Sequence, residues 1–422
     1  MVKIIIIGAG SRGLRSYGKW LHNNPEAAQV VAVADPRESR RQEAMDLFGI
    51  KPDKVFKNWQ EAFDQPKMAD AAIIATCDDD HADPAVKAAE LGYHILLEKP
   101  MAPAVSDCIR IADAARKNNI IFALCHVLHY APFYKQLKKM IDDGMVGKLI
   151  SIQHLEGIAW WHFAHAYVRG NWRNEKLSSS ILLAKCCHDL DLINWIAGSQ
   201  CQTVQSSGKL NFFKAENAPE NSADRCIDCM YSKNKCPYSA EKFYHEKLDQ
   251  GFMGWPLDVL VDDMTHEAID KALREGPYGR CVYKCDNDVA DSQSVNLEFK
   301  NGVTFSMMLS AFTPHGRKIR VMGSHGYIEG DGKILRHLSF QEDKWTETDV
   351  NKLNDDVASG HGGGDAELMK SFIEAVEKND PSYLSADLTQ TLESHLLVFA
   401  AEEARKNKTI IDFPEYCKNV LP

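Results

Sequence analysis

An apolar strand at the start of the chain runs directly into a glycine-rich turn. Residues 3–13 read Lys-Ile-Ile-Ile-Ile-Gly-Ala-Gly-Ser-Arg-Gly, so a G-x-G-x-x-G motif follows a buried-strand pattern and precedes a helical one. Gly8 would permit the tight turn, Gly10 the close approach of a pyrophosphate, and Gly13 the packing of helix on strand. The helix start would offer free N–H groups to phosphate oxygens. The residues predicted to hold a dinucleotide here are Gly8, Gly10, Ser11, Arg12 and Gly13.

An acidic residue follows the next apolar run. Residues 29–34 read as a second strand, and Asp35 stands where a dinucleotide-binding unit places an acid on the adenosine ribose hydroxyls. Such an acid repels a 2′-phosphate, so NAD is favoured over NADP, although Arg37, Arg40 or Arg41 could still neutralise that phosphate. We predict that Asp35 and Arg37 contact the cofactor. The alternative is a glycine-rich turn of another doubly wound domain, which the paired acid disfavours.

The composition excludes several classes of partner. With 422 residues, of which 45% are hydrophobic and 26% charged, the chain resembles a globular protein large enough for two domains. A formal net charge of −10 gives no general attraction to nucleic acid or to an anionic membrane. The first strand leaves no room for a signal peptide, and no apolar run is long enough to span a bilayer. We therefore expect a cytoplasmic protein with a small-molecule substrate.

The pattern of predicted elements changes along the chain. Strand and helix patterns alternate through residues 1–125, which predicts a Rossmann domain with a parallel sheet. Residues 126–422 carry β-rich stretches separated by short turns, so we expect an α+β domain with a large open, mainly antiparallel sheet. Residues 214–290 are polar, rich in cysteine and proline, and too long for a simple loop. They are predicted to form an insertion with some structure of its own.

Two polar motifs follow later strands of the first domain. One contains Thr76 and His81, and the other is Glu98-Lys99-Pro100. Ligands of open α/β sheets bind beyond the carboxyl ends of the strands, so we predict that both motifs contact the cofactor through Thr76, His81, Glu98 and Lys99. A desolvated lysine beside an oxidised nicotinamide can exchange a proton with a hydroxyl, which makes Lys99 the main catalytic candidate. The alternative is a surface lysine paired with Glu98.

Over essentially its whole length the chain resembles the glucose-fructose oxidoreductase and inositol dehydrogenase family (Gfo/Idh/MocA). The resemblance rests on the glycine motif, Asp35, the Glu-Lys-Pro signature at Lys99, and His188-Asp189-Leu190-Asp191 at the start of a predicted helix over residues 187–197. It implies a two-domain NAD(P)-dependent enzyme that transfers hydride between the nicotinamide and a secondary hydroxyl or keto group of a sugar, sugar acid, inositol or glycoside. It also implies that Lys99 meets the reacting oxygen. A homo-oligomer, dimer or tetramer, formed through the open sheet is implied as well.

The segment before His188 departs from the family pattern. The family often places a catalytic aspartate four residues before this histidine, whereas this chain has Ala184 there, followed by Lys185. We predict that His188 and Lys185 share substrate orientation and proton handling with Lys99, because neighbouring lysines depress each other's proton affinity. The alternative for Lys185 is a solvated residue entering a helix. Asp191 is expected to be structural and to fix the helix or an imidazole.

Aromatic, imidazole and guanidinium groups are concentrated in residues 160–173. Carbohydrate sites need this mixture, because sugar C–H faces pack on aromatic rings while hydroxyls take directed hydrogen bonds. Core packing alone could explain the tryptophans. Near the C-terminus, His361 and a glycine run precede a helix that Asp365 could cap. The predicted substrate-binding residues are His126, His165, Arg169, Trp172, Arg173 and His361.

Five cysteines of the insertion have a spacing typical of metal ligands. Cys226, Cys229 and Cys236 form a C-x2-C-x6-C pattern, and Cys281 and Cys285 follow later. Three thiolates and a distant fourth can enclose a tetrahedral Zn²⁺. We predict a structural zinc site of Cys226, Cys229, Cys236 and Cys281, with Cys285 as the alternative fourth ligand. An iron–sulfur cluster and free cytosolic thiols are the alternatives.

Two other functions are compatible with the same motifs. An enzyme that holds NAD tightly could oxidise its substrate transiently, acidify a neighbouring C–H bond, and cleave a glycoside by elimination without net NADH. A non-catalytic sugar or nucleotide sensor could also use this fold. Lys99 and His188 argue against the sensor, whereas the missing acid at Ala184 keeps it open.

Overall fold

The glycine motif lies in a parallel β-sheet at the start of the chain. The computed structural model describes residues 1–352 and 360–421. The strands of this sheet are β1 (Val2–Ile7), β2 (Ala28–Ala34), β3 (Val55–Phe56), β4 (Ala71–Ile74), β5 (His94–Leu97) and β6 (Phe122–Leu124). They form a six-stranded parallel sheet in the order β3-β2-β1-β4-β5-β6. Ile4 to Ile7 are buried on both faces, as a parallel sheet between layers of helices requires.

Helices connect the strands and cover the sheets. The α-helices are α1 (Lys19–Asn23), α2 (Glu38–Phe48), α3 (Trp59–Phe63), α4 (Ala82–Glu90), α5 (Val105–Lys117), α6 (Pro132–Asp142), α7 (Trp160–Phe163), α8 (Ile181–Ala197), α9 (Ser232–Lys235), α10 (Ala240–Asp249), α11 (His266–Glu275), α12 (Gly364–Lys378), α13 (Leu388–Asn407) and α14 (Phe413–Val420). Two π-helical segments, Ser11–Gly18 and Ala164–Arg169, adjoin α1 and α7. Within the described ranges, no helix is long and apolar enough to cross a membrane.

The second sheet has nine strands and is mainly antiparallel. Its strands are β7 (Leu149–Ala159), β8 (Cys201–Lys209), β9 (Ser292–Phe299), β10 (Thr304–Thr313), β11 (Gly316–Gly323), β12 (Gly326–Gly330), β13 (Ile334–Ser339), β14 (Lys344–Asp349) and β15 (Ile410–Asp412). Their order is β14-β13-β12-β11-β7-β10-β9-β8-β15, in which β7 and β10 are parallel and all other neighbours antiparallel. Buried Val295 and Leu297 alternate with exposed residues in β9, because only one face of the sheet packs on the core. The predicted fold class, a Rossmann domain with an α+β domain, is confirmed.

Helix α12 completes the core of the first sheet although it lies far away in the sequence. Leu368 and Phe372 of α12 pack in the same buried cluster as Ile4 and Ile6 of β1. The C-terminal part of the chain therefore contributes to the dinucleotide-binding half of the molecule.

The insertion over residues 214–290 has a small core of its own. Helices α10 and α11 pack against each other around Tyr244, Leu257, Ile269 and Leu273, which are buried. This agrees with the prediction that the segment is more than a loop.

Helix α8 begins earlier than the sequence pattern indicated. Ser180 is its N-cap, and the Ser180 hydroxyl accepts a hydrogen bond from the Leu183 N–H at 3.3 Å. The expectation that His188 opens the helix was wrong, because this cap starts the helix at Ile181. Lys185 and His188 are therefore three residues apart within one helix, a spacing that places both on the same side.

Candidate active site

The glycine turn is shaped by two glycines that packing requires and one that faces open space. Gly8 has a φ of +90°, and a Cβ there would lie 2.5 Å from the carbonyl oxygen of Ala75. A Cβ on Gly13 would lie 1.9 Å from the carbonyl oxygen of Gly8. A Cβ on Gly10 would meet only the Arg37 guanidinium, at 3.6 Å. The space over Gly10 is therefore available to a ligand that approaches the backbone closely.

Asp35 is buried against this turn. One carboxylate oxygen accepts a hydrogen bond from the Ala9 N–H at 2.8 Å, and the other accepts from the Arg37 N–H at 2.9 Å. The Arg37 Nε also donates to Asp35, at 3.2 Å. Ser11 is exposed at the start of the following helical segment. The structure thus brings Asp35 and Arg37 together at the glycine motif.

Arg12 and Glu98 belong to an ion-pair network that joins the first sheet to α12. Arg12 Nε donates to Glu98 at 2.5 Å, and its terminal nitrogens donate to both carboxylate oxygens of Asp365 at 2.7 and 3.1 Å. The Tyr17 hydroxyl donates to Glu98 at 2.5 Å. Burial by itself would raise the pKa of Glu98, but the charges of Arg12 and Lys99 hold it below its usual value. The N-cap position of α12 is Gly363, and the Asp365 carboxylate in its first turn accepts hydrogen bonds from Arg12.

Lys99 connects the carboxyl end of β5 to helix α8. Its Nζ donates a hydrogen bond of 2.7 Å to the carbonyl oxygen of Ala184, and its main-chain N–H donates to the Glu98 carboxylate at 2.9 Å. The ammonium group therefore contacts α8, and the alternative of a surface lysine paired with Glu98 does not describe this geometry. Ala184 is the position at which the family pattern has an acid.

A carboxylate reaches Lys185 from the second sheet. Glu156 on β7 is buried, and its carboxylate lies 3.5 Å from the Lys185 Nζ. Arg317 Nε lies 2.8 Å from the same carboxylate as an ion pair, and it donates a hydrogen bond to Asp189 at 2.7 Å. His154 lies 2.6 Å from Asp189. Sequence reasoning missed Glu156, because nothing in a strand pattern shows which buried position will face a helix from another part of the chain.

His162 on α7 was also missed. Burial lowers the pKa of His162 well below its usual value, and the nearby charges of Lys185 and Lys99 lower it further. The ring of His315 lies 6.2 Å away between centroids. The structure therefore places an imidazole within electrostatic range of both candidate lysines. The sequence signal for His162 is its place in the aromatic segment 160–173, which also contains His165.

His165 is surrounded by aromatic side chains. Its Nδ1 lies 2.7 Å from the Tyr244 hydroxyl, and its ring stacks on Tyr278 with centroids 4.8 Å apart. Trp255 packs against it edge to face, at 5.2 Å. Burial lowers the pKa of His165 to about 3, helped by the charge of Arg169. This neutral imidazole belongs to the aromatic core between α7 and the insertion.

Asp191 holds two buried imidazoles. Its carboxylate lies 3.0 Å from His126 Nδ1 and 2.8 Å from His129 Nε2. Burial would raise the pKa of Asp191, but the two histidines hold it well below its usual value. The ring of His188 lies 5.9 Å from that of His126. The expected structural role of Asp191 is thus observed, and His126 is enclosed beside His188 within the fold.

The loop after β4 is held by main-chain acceptors. The Thr76 hydroxyl donates to the carbonyl oxygen of Asp80 at 2.8 Å. His81 is fully buried, and its Nδ1 lies 2.8 Å from the carbonyl oxygen of Pro100. His81 therefore ties this loop to the Glu-Lys-Pro segment, which positions Lys99.

Three of the predicted substrate residues have partners other than Lys99 and Lys185. Trp172 Nε1 donates to Asp78 at 3.0 Å, and Arg173 Nε donates to Asp286 at 2.8 Å. Arg169 is buried among the cysteines of the insertion. The side chain of His361 lies outside the described part of the structure.

These features define a class of protein, an NAD(P)-dependent oxidoreductase with a Rossmann domain and an α/β substrate domain. The chain belongs to the Gfo/Idh/MocA oxidoreductase family. Residues 2–126 match its NAD-binding Rossmann domain and residues 138–413 its C-terminal alpha/beta domain.

The similarity to individual relatives covers different fractions of the chain. The oxidoreductase-family protein YteT of Bacillus subtilis is 25% identical over 337 residues, which cover 74% of this chain and 75% of YteT. Inositol 2-dehydrogenase of Salmonella typhimurium is 26% identical over 205 residues, 48% of this chain and 57% of that enzyme. An oxidoreductase from Agrobacterium radiobacter, solved with NAD⁺, L-tartaric acid and magnesium, is similar in fold with a TM-score of 0.69. It is 16% identical, and the match covers 98% of this chain and 99% of that one.

Proposed function

We propose that this protein transfers hydride between NAD and a secondary carbinol of a sugar or polyol, with Lys99 as the proton-exchanging group. The observation that carries the proposal is the hydrogen bond between Lys99 Nζ and the Ala184 carbonyl oxygen, which holds a primary amine at the carboxyl end of β5. Ligands of open α/β sheets occupy that end. The polyol class is supported by the 26% identity to an inositol 2-dehydrogenase.

The residues of the glycine turn fit NAD. The space over Gly10 admits a pyrophosphate, and the buried carboxylate of Asp35 would accept hydrogen bonds from the adenosine ribose. The same carboxylate would repel a 2′-phosphate, and it already pairs with Arg37, which supports NAD over NADP. When bound, NAD supplies the nicotinamide carbon that accepts or returns the hydride.

We assign proton exchange and substrate orientation to Lys99, which follows β5, and to Lys185 and His188 on α8. As the neutral amine, Lys99 would exchange its bond to the Ala184 carbonyl for a hydrogen bond from the reacting hydroxyl, and would become an ammonium by taking that proton as the hydride leaves the carbinol carbon. Lys185, held by Glu156, would orient an adjacent hydroxyl or a carboxylate of a sugar acid. His188, on the same side of α8, would complete the set that positions the carbinol.

The test is turnover with a panel of inositols, sugars, sugar acids and glycosides in the presence of NAD. We expect NADH absorbance with at least one polyol or sugar, and weaker activity with NADP. Product without net NADH, together with NAD that stays bound through purification, would instead identify transient oxidation followed by elimination. No chemical change across the panel would contradict the proposal.

We also propose that copies of the chain associate through the open face of the second sheet. Met308 is 44% exposed and Ile410 is 62% exposed, so association would remove apolar surface from water. Light scattering of the purified protein gives its mass and checks this homo-oligomer.

A cytoplasmic location is supported by the free state of all twelve cysteines, since thiols stay reduced there. Structural zinc in the insertion is a separate proposal and takes no part in hydride transfer.

A further inference from the structure

Four cysteines of the insertion line one small cavity. The cavity measures about 20 Å³, and its walls include Cys226, Cys229, Cys236 and Cys281 together with Arg169. A cavity that just holds one water molecule measures roughly 10–15 Å³. The space between the thiols therefore admits a single atom or ion.

Backbone pairing brings the distant cysteine to the other three. Arg225 and Arg280 form an isolated antiparallel bridge, and the Cys281 N–H donates to the carbonyl oxygen of Asp224 at 2.8 Å. Cys226 follows this bridge directly and begins the turn that leads to Cys229. Two chain segments that are far apart in sequence thus deliver their thiols to one point, as a metal site with a distant fourth ligand requires.

Arg169 is an independent sign that negative charge belongs at this point. It is 3% exposed, and it donates to the carbonyl oxygens of Arg280 and Tyr238, each at 2.7 Å, and to Cys226 Sγ at 3.4 Å. Throughout residues 1–352 and 360–421, no carboxylate forms an ion pair with this guanidinium. A buried cation without a counter-charge is costly. Neutral thiols do not supply that charge, whereas thiolates do.

We propose that Cys226, Cys229, Cys236 and Cys281 bind one Zn²⁺ as four thiolates. The four thiols lose their protons to solvent when the ion binds, and the resulting centre carries two negative charges. Arg169 faces this centre and donates an N–H to one of its sulfurs, a contact that both holds the ligand and balances the charge.

The cavity selects among the alternatives that the sequence left open. Cys285 does not line it, and its Sγ instead donates to the carbonyl oxygen of Cys281 at 3.2 Å. Cys281 is therefore the fourth ligand. An iron–sulfur cluster is the other occupant of a four-thiolate site, and the metal analysis below distinguishes it from zinc.

The ion would tighten the site. In the described part of the chain, no three of these cysteine sulfurs all lie within 4.8 Å of one another. Zinc–sulfur bonds of about 2.3 Å would draw them closer. Cys236 and Arg169 also line a larger cavity of about 530 Å³ with Trp160, Trp161 and His165. Zinc would thus fix one wall of that aromatic cavity.

The test is the metal content of the full chain purified without oxygen. We expect about one zinc per chain. After exchange with Co²⁺, we expect the thiolate-to-metal charge-transfer absorption and the visible bands of a tetrahedral four-thiolate site. This reading needs no variant, so a substitution that fails to fold cannot obscure it.

Two variants and a matched control assign the ligands. Cys226→Ser and Cys281→Ser should retain less than about a fifth of the zinc, because three ligands bind it far more weakly. Cys285→Ser, a change of the same size four residues away, should keep all of it. The proposal is overturned if the wild-type chain holds no zinc after anaerobic reconstitution, if it holds iron with sulfide, or if Cys285→Ser loses zinc as completely as Cys281→Ser.

Discussion

Lys99 Nζ and the carbonyl oxygen of Ala184 are joined by a hydrogen bond of 2.7 Å that links the end of β5 to helix α8. The family pattern often has an acid at this helix position, and here only a main-chain oxygen is available. A carboxylate approaches the neighbouring Lys185 from a different direction, at Glu156 on β7. Lys99 is thus held by a main-chain oxygen, and the carboxylate near Lys185 comes from the second sheet.

Replacing Lys99 should affect proton exchange far more than cofactor binding. We expect Lys99→Met to lower kcat/KM by about 10²–10⁴-fold, the usual contribution of a general acid–base group. NAD affinity, measured by titration of protein fluorescence, should fall by much less, because Lys99 is one of several predicted cofactor contacts. Lys139→Met, which removes an exposed lysine paired with Asp143, is the matched control. Full activity of Lys99→Met on the identified substrate would contradict the assignment.

Lys185 and Glu156 should act as a pair. Lys185→Met and Glu156→Gln should each lower kcat/KM, by about 10²-fold, and the double variant should lose little more than either single one. The physical reason is that Glu156 holds the ammonium at 3.5 Å, so removal of either partner ends the same interaction. Glu298→Gln, an exposed position on β9, provides the control. Strict additivity of the two effects would show that the residues work separately.

Asp35 should set the choice between cofactors. Asp35→Ser removes the charge that repels a 2′-phosphate and frees Arg37, which now donates to it at 3.2 Å. We expect kcat/KM with NADP to rise about tenfold and that with NAD to fall, as measured in parallel assays with both cofactors. Glu38→Gln changes a neighbouring exposed charge and should leave the ratio unchanged. If the ratio of kcat/KM with NADP to kcat/KM with NAD is the same in wild type and Asp35→Ser, the Asp35 carboxylate does not contact the adenosine ribose.

The ion pair between Arg12 and Asp365 should stabilise the docking of α12 on the first sheet. Asp365→Asn is expected to lower the free energy of unfolding by about 2 kcal/mol, less than for a fully buried pair because Arg12 is 30% exposed. Urea unfolding followed by tryptophan fluorescence measures this change. Glu367→Gln, which breaks the exposed pair with Lys135, should cost at most about 1 kcal/mol. Equal losses in the two variants would contradict a special role for the buried pair.

Acid should destabilise the fold through His395. Burial lowers its pKa to about 3, helped by the charge of His126, and its Nε2 accepts a hydrogen bond from the Met101 N–H at 2.9 Å. The unfolded chain binds this proton near pH 6.5 and the folded chain does not, so stability is lost as the pH falls from about 6.5 toward 3.

The urea midpoint of His395→Gln, measured from pH 7 to pH 5, checks this effect. Over that pH range, one histidine that takes up its proton only in the unfolded chain lowers the free energy of unfolding by roughly 2 kcal/mol. His395→Gln lacks the titration, so its midpoint should vary less with pH than that of the wild type. His22→Gln changes an exposed histidine on α1, so it is the control and should follow the wild-type curve. Parallel curves for wild type and His395→Gln would rule out this histidine as the cause.

Local patterns in the sequence were enough for the dinucleotide-binding unit. A strand that ends in Gly8 and Gly13 and is followed by Asp35 encodes its own geometry, because neighbouring residues supply the turn, the packing and the acid. Extended apolar and polar patterns likewise predicted four of the nine strands of the second sheet, β7, β9, β10 and β11, since each of these strands has one face toward the core.

The partners of Lys99 and Lys185 depended on contacts between segments far apart in the chain. Glu156 on β7, Ala184 on α8 and Asp365 on α12 come together with Lys99, Lys185 and Arg12 only when the two sheets and the last helices pack, and no spacing within the sequence carries that information. The contacts of His165 with Tyr244 and Tyr278 have the same cause. Residue chemistry and local periodicity are properties of short segments, whereas the side chain that meets each charge is set by how the hydrophobic faces of the whole chain are buried.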